Sequence, residues 1–237
     1  MNFFELIWLI PFLPAVGALI NGFFGRMFPR WMINLVACGV VGGAFLISVG
    51  AFFQLIELPS DNQIIETNLF TWISAGNGEL SSGGIAPFNV EWGYQLDPLS
   101  AVMILVVTGI GFLIHLYSIG YMAHEEGYYR FFTYLNLFMF AMLTLVLANN
   151  FVLMFVGWEG VGLCSYLLIG FYFHKKSAAD AGKKAFVVNR IGDFGFILGI
   201  LLIFTTFGSF DFTEVFGFIN ENVRTGVFQS GDLVFTL

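Results

Sequence analysis

The chain has 237 residues, 58% of them hydrophobic and only 11% charged, and Phe alone contributes 31. A soluble domain carries roughly 25% charged residues, so an ordinary cytosolic enzyme and a disordered chain are excluded. The net charge of −7 argues further against a nucleic-acid binder. What is left is an all-α polytopic membrane protein.

A helix needs about 20 mostly apolar residues to cross roughly 30 Å of hydrocarbon. Six segments qualify: 3–24, 31–56, 99–121, 131–148, 151–173 and 178–207. The first has Glu5 ahead of its apolar run and no Ala-x-Ala-like site after it, so it is read as a retained helix rather than a cleaved signal. Between the second and third lies the one sizeable polar piece, residues 57–97. Asn77-Gly78 and Gly83-Gly84 are turn signals there, between β-leaning stretches at 68–73 and 88–94. An external β-hairpin capping the helices is expected. The organisation is then helices 1 and 2 in 1–56, the hairpin in 57–97, and helices 3 to 6 in 98–237 as the first part of a larger bundle.

Charge placement orients the spans. Arg26, Arg30, Arg130, Lys175, Lys176, Lys183 and Lys184 fall on alternate loops of one side, and these are seven of the nine basic residues. The 57–97 connection carries Glu57, Asp61, Glu66, Glu79, Glu91 and Asp97 and no Lys or Arg. The positive-inside rule places the N-terminus and the tail after helix 6 outside. A bacterial inner membrane is the expected location.

Ionisable groups inside a bilayer are expensive and are functional candidates by default. Three lie within the apolar spans: Glu159 on helix 5, and Arg190 and Asp193 on helix 6. Arg190 and Asp193 are spaced i,i+3 and share a face; such a pair can also serve only to fix helix packing. Glu159 has no basic residue within a turn on its own helix, so its partner comes from another helix or it takes up a proton. The flanking Gly157, Gly160 and Gly162 suit close helix packing, and Trp158 is read as packing with them. His115 on helix 3 can relay protons or bond structurally. Lys183 and Lys184 can snorkel to the inner surface or serve a proton entry route. Cys38 and Cys164 make neither a metal spacing nor a disulfide framework. No P-loop, dinucleotide fingerprint or iron–sulfur cysteine cluster is present in the sequence, so neither a bound cofactor nor a metal is expected in this chain.

Several runs carry a resemblance. They are Asp97-Pro-Leu-Ser100, Val107-Thr-Gly-Ile-Gly111, Leu113-Ile-His-Leu-Tyr-Ser118, Tyr128-Tyr-Arg-Phe-Phe132, the stretch from Gly157 to Tyr172 and that from Lys184 to Asp193. Together they cover nearly all of residues 95–195 and resemble the antiporter-like subunit L (chain 5) of NADH-quinone oxidoreductase, respiratory complex I. Residues 1–56 fit more loosely. The resemblance implies proton translocation driven by electron transfer from NADH to quinone, with Glu159 in the place of the family's proton-carrying glutamate and Arg190 and Asp193 in matching places on helix 6. It implies that NADH, FMN, the iron–sulfur clusters and quinone are bound by partner subunits, and that the partners are the other membrane subunits, the lipid bilayer and protons. The family chain is much longer, and its glutamate is paired with a lysine on a seventh, broken helix. That partner is expected beyond Leu237, so that this stretch alone should not pump. The alternative within the same architecture is a subunit of a multi-subunit Na⁺/H⁺ antiporter or related ion-translocating complex; a third reading is a scaffold that moves no ions.

Overall fold

A computed structural model describes residues 2–59, 62–81 and 83–224. Among these residues, six helices are long and apolar enough to cross a membrane. The first span is a short 3₁₀ turn, Phe3–Leu6, continued by α1, Leu9–Phe24. Asn2 caps the turn through its side chain, and the Gln54 side chain accepts the Phe3 N–H at 2.8 Å, tying the chain start to the second span. Then come α2, Arg30–Ile56; α3, Pro98–Tyr121; α4, Tyr128–Leu147; α5, Phe151–Ile169; and α6, Lys176–Phe207. The cap chemistry explains where several begin and end. Asp97 and Ser100 form a reciprocal capping box with Pro98 at the first helical position of α3. Asn150 accepts the Leu153 N–H at 2.8 Å and starts α5. Gly208, at φ +77°, closes α6 in the left-handed conformation that an L side chain resists.

α4 packs against α1, α2, α3 and α5, while the helix pair α5 and α6 forms one flank. The main core joins Ile7, Ile10, Val41, Leu55, Ile104, Leu143, Leu147 and Leu153, all at most 2% exposed. On α6, by contrast, only Gly182, Asp193, Ile200 and Phe204 are buried. The outer side of α6 is therefore uncovered by the rest of the described chain.

Strands β1, Ile65–Glu79, and β2, Ile85–Leu96, pair antiparallel as the expected hairpin. The turn is not at Asn77-Gly78. Those two residues sit inside β1 opposite Pro87 and Ala86, beyond a register shift at Ser74/Asn77 where Gly76 takes φ +79°. The bulge absorbs the turn-like dipeptide, and the chain reverses at Leu80–Gly84, where the Leu80 N–H donates to Gly84 O at 2.8 Å. The hairpin tip reaches α6: the Ser81 N–H donates to Thr205 O at 2.8 Å. Its base is stapled to the α4–α5 corner. Asn150 Nδ2 donates to Glu91 O at 2.8 Å, and Asn149 Nδ2 to Asn68 Oδ1 at 2.7 Å.

One element was not expected. After Gly208 the chain forms α7, Phe212–Arg224, whose Phe212 ring meets Phe151 edge-on at 4.6 Å. α7 lies on the hairpin side, and the Arg26, Arg30, Arg130, Lys175 and Lys176 ends of the spans lie on the other.

Candidate functional site

α5 and α6 run antiparallel as neighbours. Glu159 is eight residues into α5, about 12 Å along it at 1.5 Å per residue, and Asp193 lies near the middle of the 32-residue α6. Between them stands Arg190. Its guanidinium bonds the Glu159 carboxylate across the helix pair, and the same Nη1 lies 3.7 Å from Asp193 Oδ2. The interhelical contact is thus the closer one, and the i,i+3 pair is the looser. Trp158 is not mere packing: its indole N–H donates to Asp193 Oδ1 at 2.9 Å. The Phe186 ring lies 4.6 Å from the guanidinium carbon. Asp193 is 7% exposed, Glu159 22% and Arg190 45%. A cavity of about 220 Å³ is lined by Trp158, Glu159, Ser165, Asn189, Arg190 and Asp193.

The chemistry of this group follows from its charge count. Two carboxylates share one guanidinium, so the ionised group carries one excess negative charge among apolar helices. A proton or an approaching cation can neutralise it, and a shift of Arg190 between the two carboxylates would choose where that charge sits. Trp158 supplies only a donor and so anchors Asp193 in its acceptor role.

The other sequence candidates stand elsewhere. His115 is 1% exposed between α3 and α4, with Nδ1 2.7 Å from Gly111 O and Nε2 3.0 Å from Asn136 Oδ1. It does not line the Glu159 cavity. Lys183 lines a different cavity with Arg130, and Lys184 is exposed. Sequence reasoning missed Trp158 as a polar group; its adjacency to Glu159 in the chain was the available signal. Gly157 and Gly160 pack against α4 as expected, but Gly162 does not, because nothing lies within 4 Å of where its Cβ would be; α5 runs as uninterrupted α-helix past all three.

A second charged group sits outside the membrane-spanning segments. Asp211, between α6 and α7, has its carboxyl pushed up from an ordinary 3.8 to about 6, first by burial and then by the neighbouring Glu214, Glu91 and Glu66. The Thr213 hydroxyl donates to Glu66 in the same corner. Because the folded state binds this proton more tightly than the unfolded one, the stability gained is full below about 3.8 and is lost as pH rises through about 6. Asp211→Asn, neutral throughout, is expected to flatten that dependence. Thermal unfolding at pH 5 and pH 7.5 checks it: the wild-type midpoint should fall between the two by more than the variant's. Solvent screening on its open side limits the difference to about 1 kcal/mol. Equal slopes would show that Asp211 does not hold the proton.

Residues 84–132 match the family described as NADH-Ubiquinone oxidoreductase (complex I), chain 5 N-terminus, and residues 148–236 match that described as NADH:quinone oxidoreductase/Mrp antiporter, TM. NADH-quinone oxidoreductase subunit L of Mycobacterium tuberculosis is 47% identical over 211 residues, covering 88% of this chain and 31% of the relative. The chain belongs to the subunit L (chain 5) family of NADH-quinone oxidoreductases. NAD(P)H-quinone oxidoreductase chain 5 of Synechocystis is 44% identical over 237 residues, 97% of this chain and 32% of the relative. The chain thus spans about a third of the length of these curated relatives. Among solved structures, an archaeal membrane-bound sulfane sulfur reductase superposes with TM-score 0.68 at 19% identity, covering 92% of this chain and 40% of that one. The Mrp complex from Dietzia sp. gives TM-score 0.65 at 24% identity, covering 89% and 20%. These two share the fold.

Proposed function

We propose that this chain is a portion of a proton-translocating membrane subunit of an NADH:quinone oxidoreductase. Electron transfer from NADH through FMN and iron–sulfur clusters to quinone belongs, in this reading, to partner subunits. The observation that carries it is the Glu159–Arg190–Asp193 group: a proton-accepting excess charge placed midway along two apolar helices, beside a mostly apolar cavity that Ser165 and Asn189 also line. Charge rearrangement arriving from a neighbouring subunit would move Arg190 toward one carboxylate and free the other to take or release a proton. His115, Lys183 and Lys184 stand apart from the group and contribute, if they relay protons, at the approaches to it. The basic loop ends are assigned to the cytoplasm of a bacterial cell, with the N-terminus, hairpin and α7 outside.

The shared family description of residues 148–236 favours one second reading, a multi-subunit cation/proton antiporter. Native electrophoresis of a mild-detergent membrane extract separates the two. With an in-gel NADH dehydrogenase stain and an antibody to residues 57–97, the protein is expected in a large NADH-oxidising band. Migration away from that activity would transfer the assignment to the antiporter, and Na⁺-dependent transport would then be measured.

A further inference from the structure

At the basic end of α4, α5 and α6 the structure forms a second cavity, of about 240 Å³, remote from the Glu159 group in its lining. Its walls hold two cations, Arg130 and Lys183, and two phenols, Tyr134 and Tyr166, together with the apolar Leu167, Phe171 and Phe173. No carboxylate lines it. Among the described residues the only ion pairs are those of Arg190, so no described carboxylate bridges either cation in this cavity. Arg130 is instead held over aromatic rings, 5.7 Å from the Phe171 centroid and 5.2 Å from that of Phe173. That leaves its planar edge for hydrogen bonding. Glu125, on the same face, accepts from the Tyr172 hydroxyl at 3.0 Å and pairs with neither cation.

We propose that this cavity binds the phosphate headgroup of an anionic phospholipid. Arg130 matches phosphate oxygens with two parallel donors, and Lys183 adds a mobile point charge from the rim. The phenols of Tyr134 and Tyr166 are of the type that completes such a shell. The depth is right as well as the charge. The cavity lies where α5 ends at Ile169 and α6 begins at Lys176, on the side bearing Arg26, Arg30, Lys175 and Lys176, and basic pockets between helix ends at that level are where anionic headgroups sit. Its volume is below the roughly 300 Å³ at which drug-sized ligand pockets start. It therefore takes the phosphate and part of the glycerol. The close approach of Gly182 to Gly170, where an added Cβ would meet backbone at 3.4 Å, brings the two helices together at this end. Lys183, the next residue, lines the cavity.

The test is native mass spectrometry of the protein purified from its own membranes in mild detergent and titrated with phosphatidylglycerol or phosphatidylcholine of matched chains. Retention of phosphatidylglycerol over phosphatidylcholine is expected. Lys183→Gln, at an exposed position, should weaken it several-fold, and Arg130→Gln with Lys183→Gln on the order of tenfold or more. The charge-keeping pair Arg130→Lys with Lys183→Arg should retain the preference, and Lys175→Gln with Lys176→Gln should leave it unchanged. Equal retention of both lipids, or undiminished phosphatidylglycerol binding by Lys183→Gln and the double variant, would overturn the proposal. So would full displacement by millimolar inorganic phosphate, which would make the cavity a site for free anions.

Discussion

Glu159→Gln in the assembled complex is expected to bring NADH-driven proton uptake by inverted membrane vesicles down to the background of the assay. A positioned proton-transfer group is worth roughly 10²–10⁴ in rate, and the substitution removes that group together with one of the two acceptors of the Arg190 guanidinium. Gln at 159 leaves Arg190 and Asp193 as a neutral pair bonded at one side by Trp158. The excess charge that could accept a proton is gone, and so is the second carboxylate between which the guanidinium could shift. The size and shape of the side chain are kept, so assembly should be retained, which native electrophoresis would verify. Arg190 provides the complementary measurement. Arg190→Gln leaves two carboxylates facing each other without a cation and should cost assembly as well as pumping, whereas Arg190→Lys keeps the charge but loses the fork that reaches both acids. Vesicles carrying Glu159→Gln that pump at the wild-type ratio to NADH oxidised would defeat the assignment.

Gly157→Ala is expected to be the most damaging single-methyl change in the spans. A Cβ at that position would lie 2.5 Å from the Leu145 amide nitrogen and 2.6 Å from its Cα. The obstacle is backbone, which cannot swing aside, so α5 must move away from α4. Overpacking of this kind costs about 1–3 kcal/mol, and the rigid contact places Gly157 at the upper end. The displacement acts two residues from Glu159 and so reaches the Arg190 bond. Gly162→Ala is the internal control, because nothing lies within 4 Å of its added methyl. Thermal unfolding and membrane level of the two variants should differ clearly; equal values would remove the close approach of α4 and α5 from the account.

Much of this was readable before any coordinates. Glu159, Arg190 and Asp193 announce themselves because a charge within an apolar run has few bland explanations. The i,i+3 spacing of the latter two showed that they share a face. What the spacing could not show was that Arg190 turns first to Glu159, because that choice depends on how α5 and α6 lean together. Trp158 was opaque for a related reason: an indole N–H looks the same in sequence whether it meets lipid or a carboxylate. Asn77-Gly78 misled because a bulge at Gly76 lets the strand absorb a turn dipeptide. α7 escaped notice because its 13 residues mix Phe212, Val215, Phe216 and Phe218 with Glu214, Asn220 and Glu221: it is too polar for a span, and the helical spacing of Phe212, Val215, Phe216 and Ile219 was the signal that a search for spans passes over.

The two ends of α6 have a shared mechanical meaning. One end is pinned by the Gly170–Gly182 approach and the other by the hairpin tip at Thr205, while the stretch between them leans chiefly on α5 among the described helices. A rod clamped at both ends and loaded at its centre can roll or bow, but it cannot slide. A change of charge at Arg190 would therefore be taken up as a rotation of the guanidinium between its two carboxylates or a shallow flexing of the helix, rather than as a ratchet of one turn along the membrane normal.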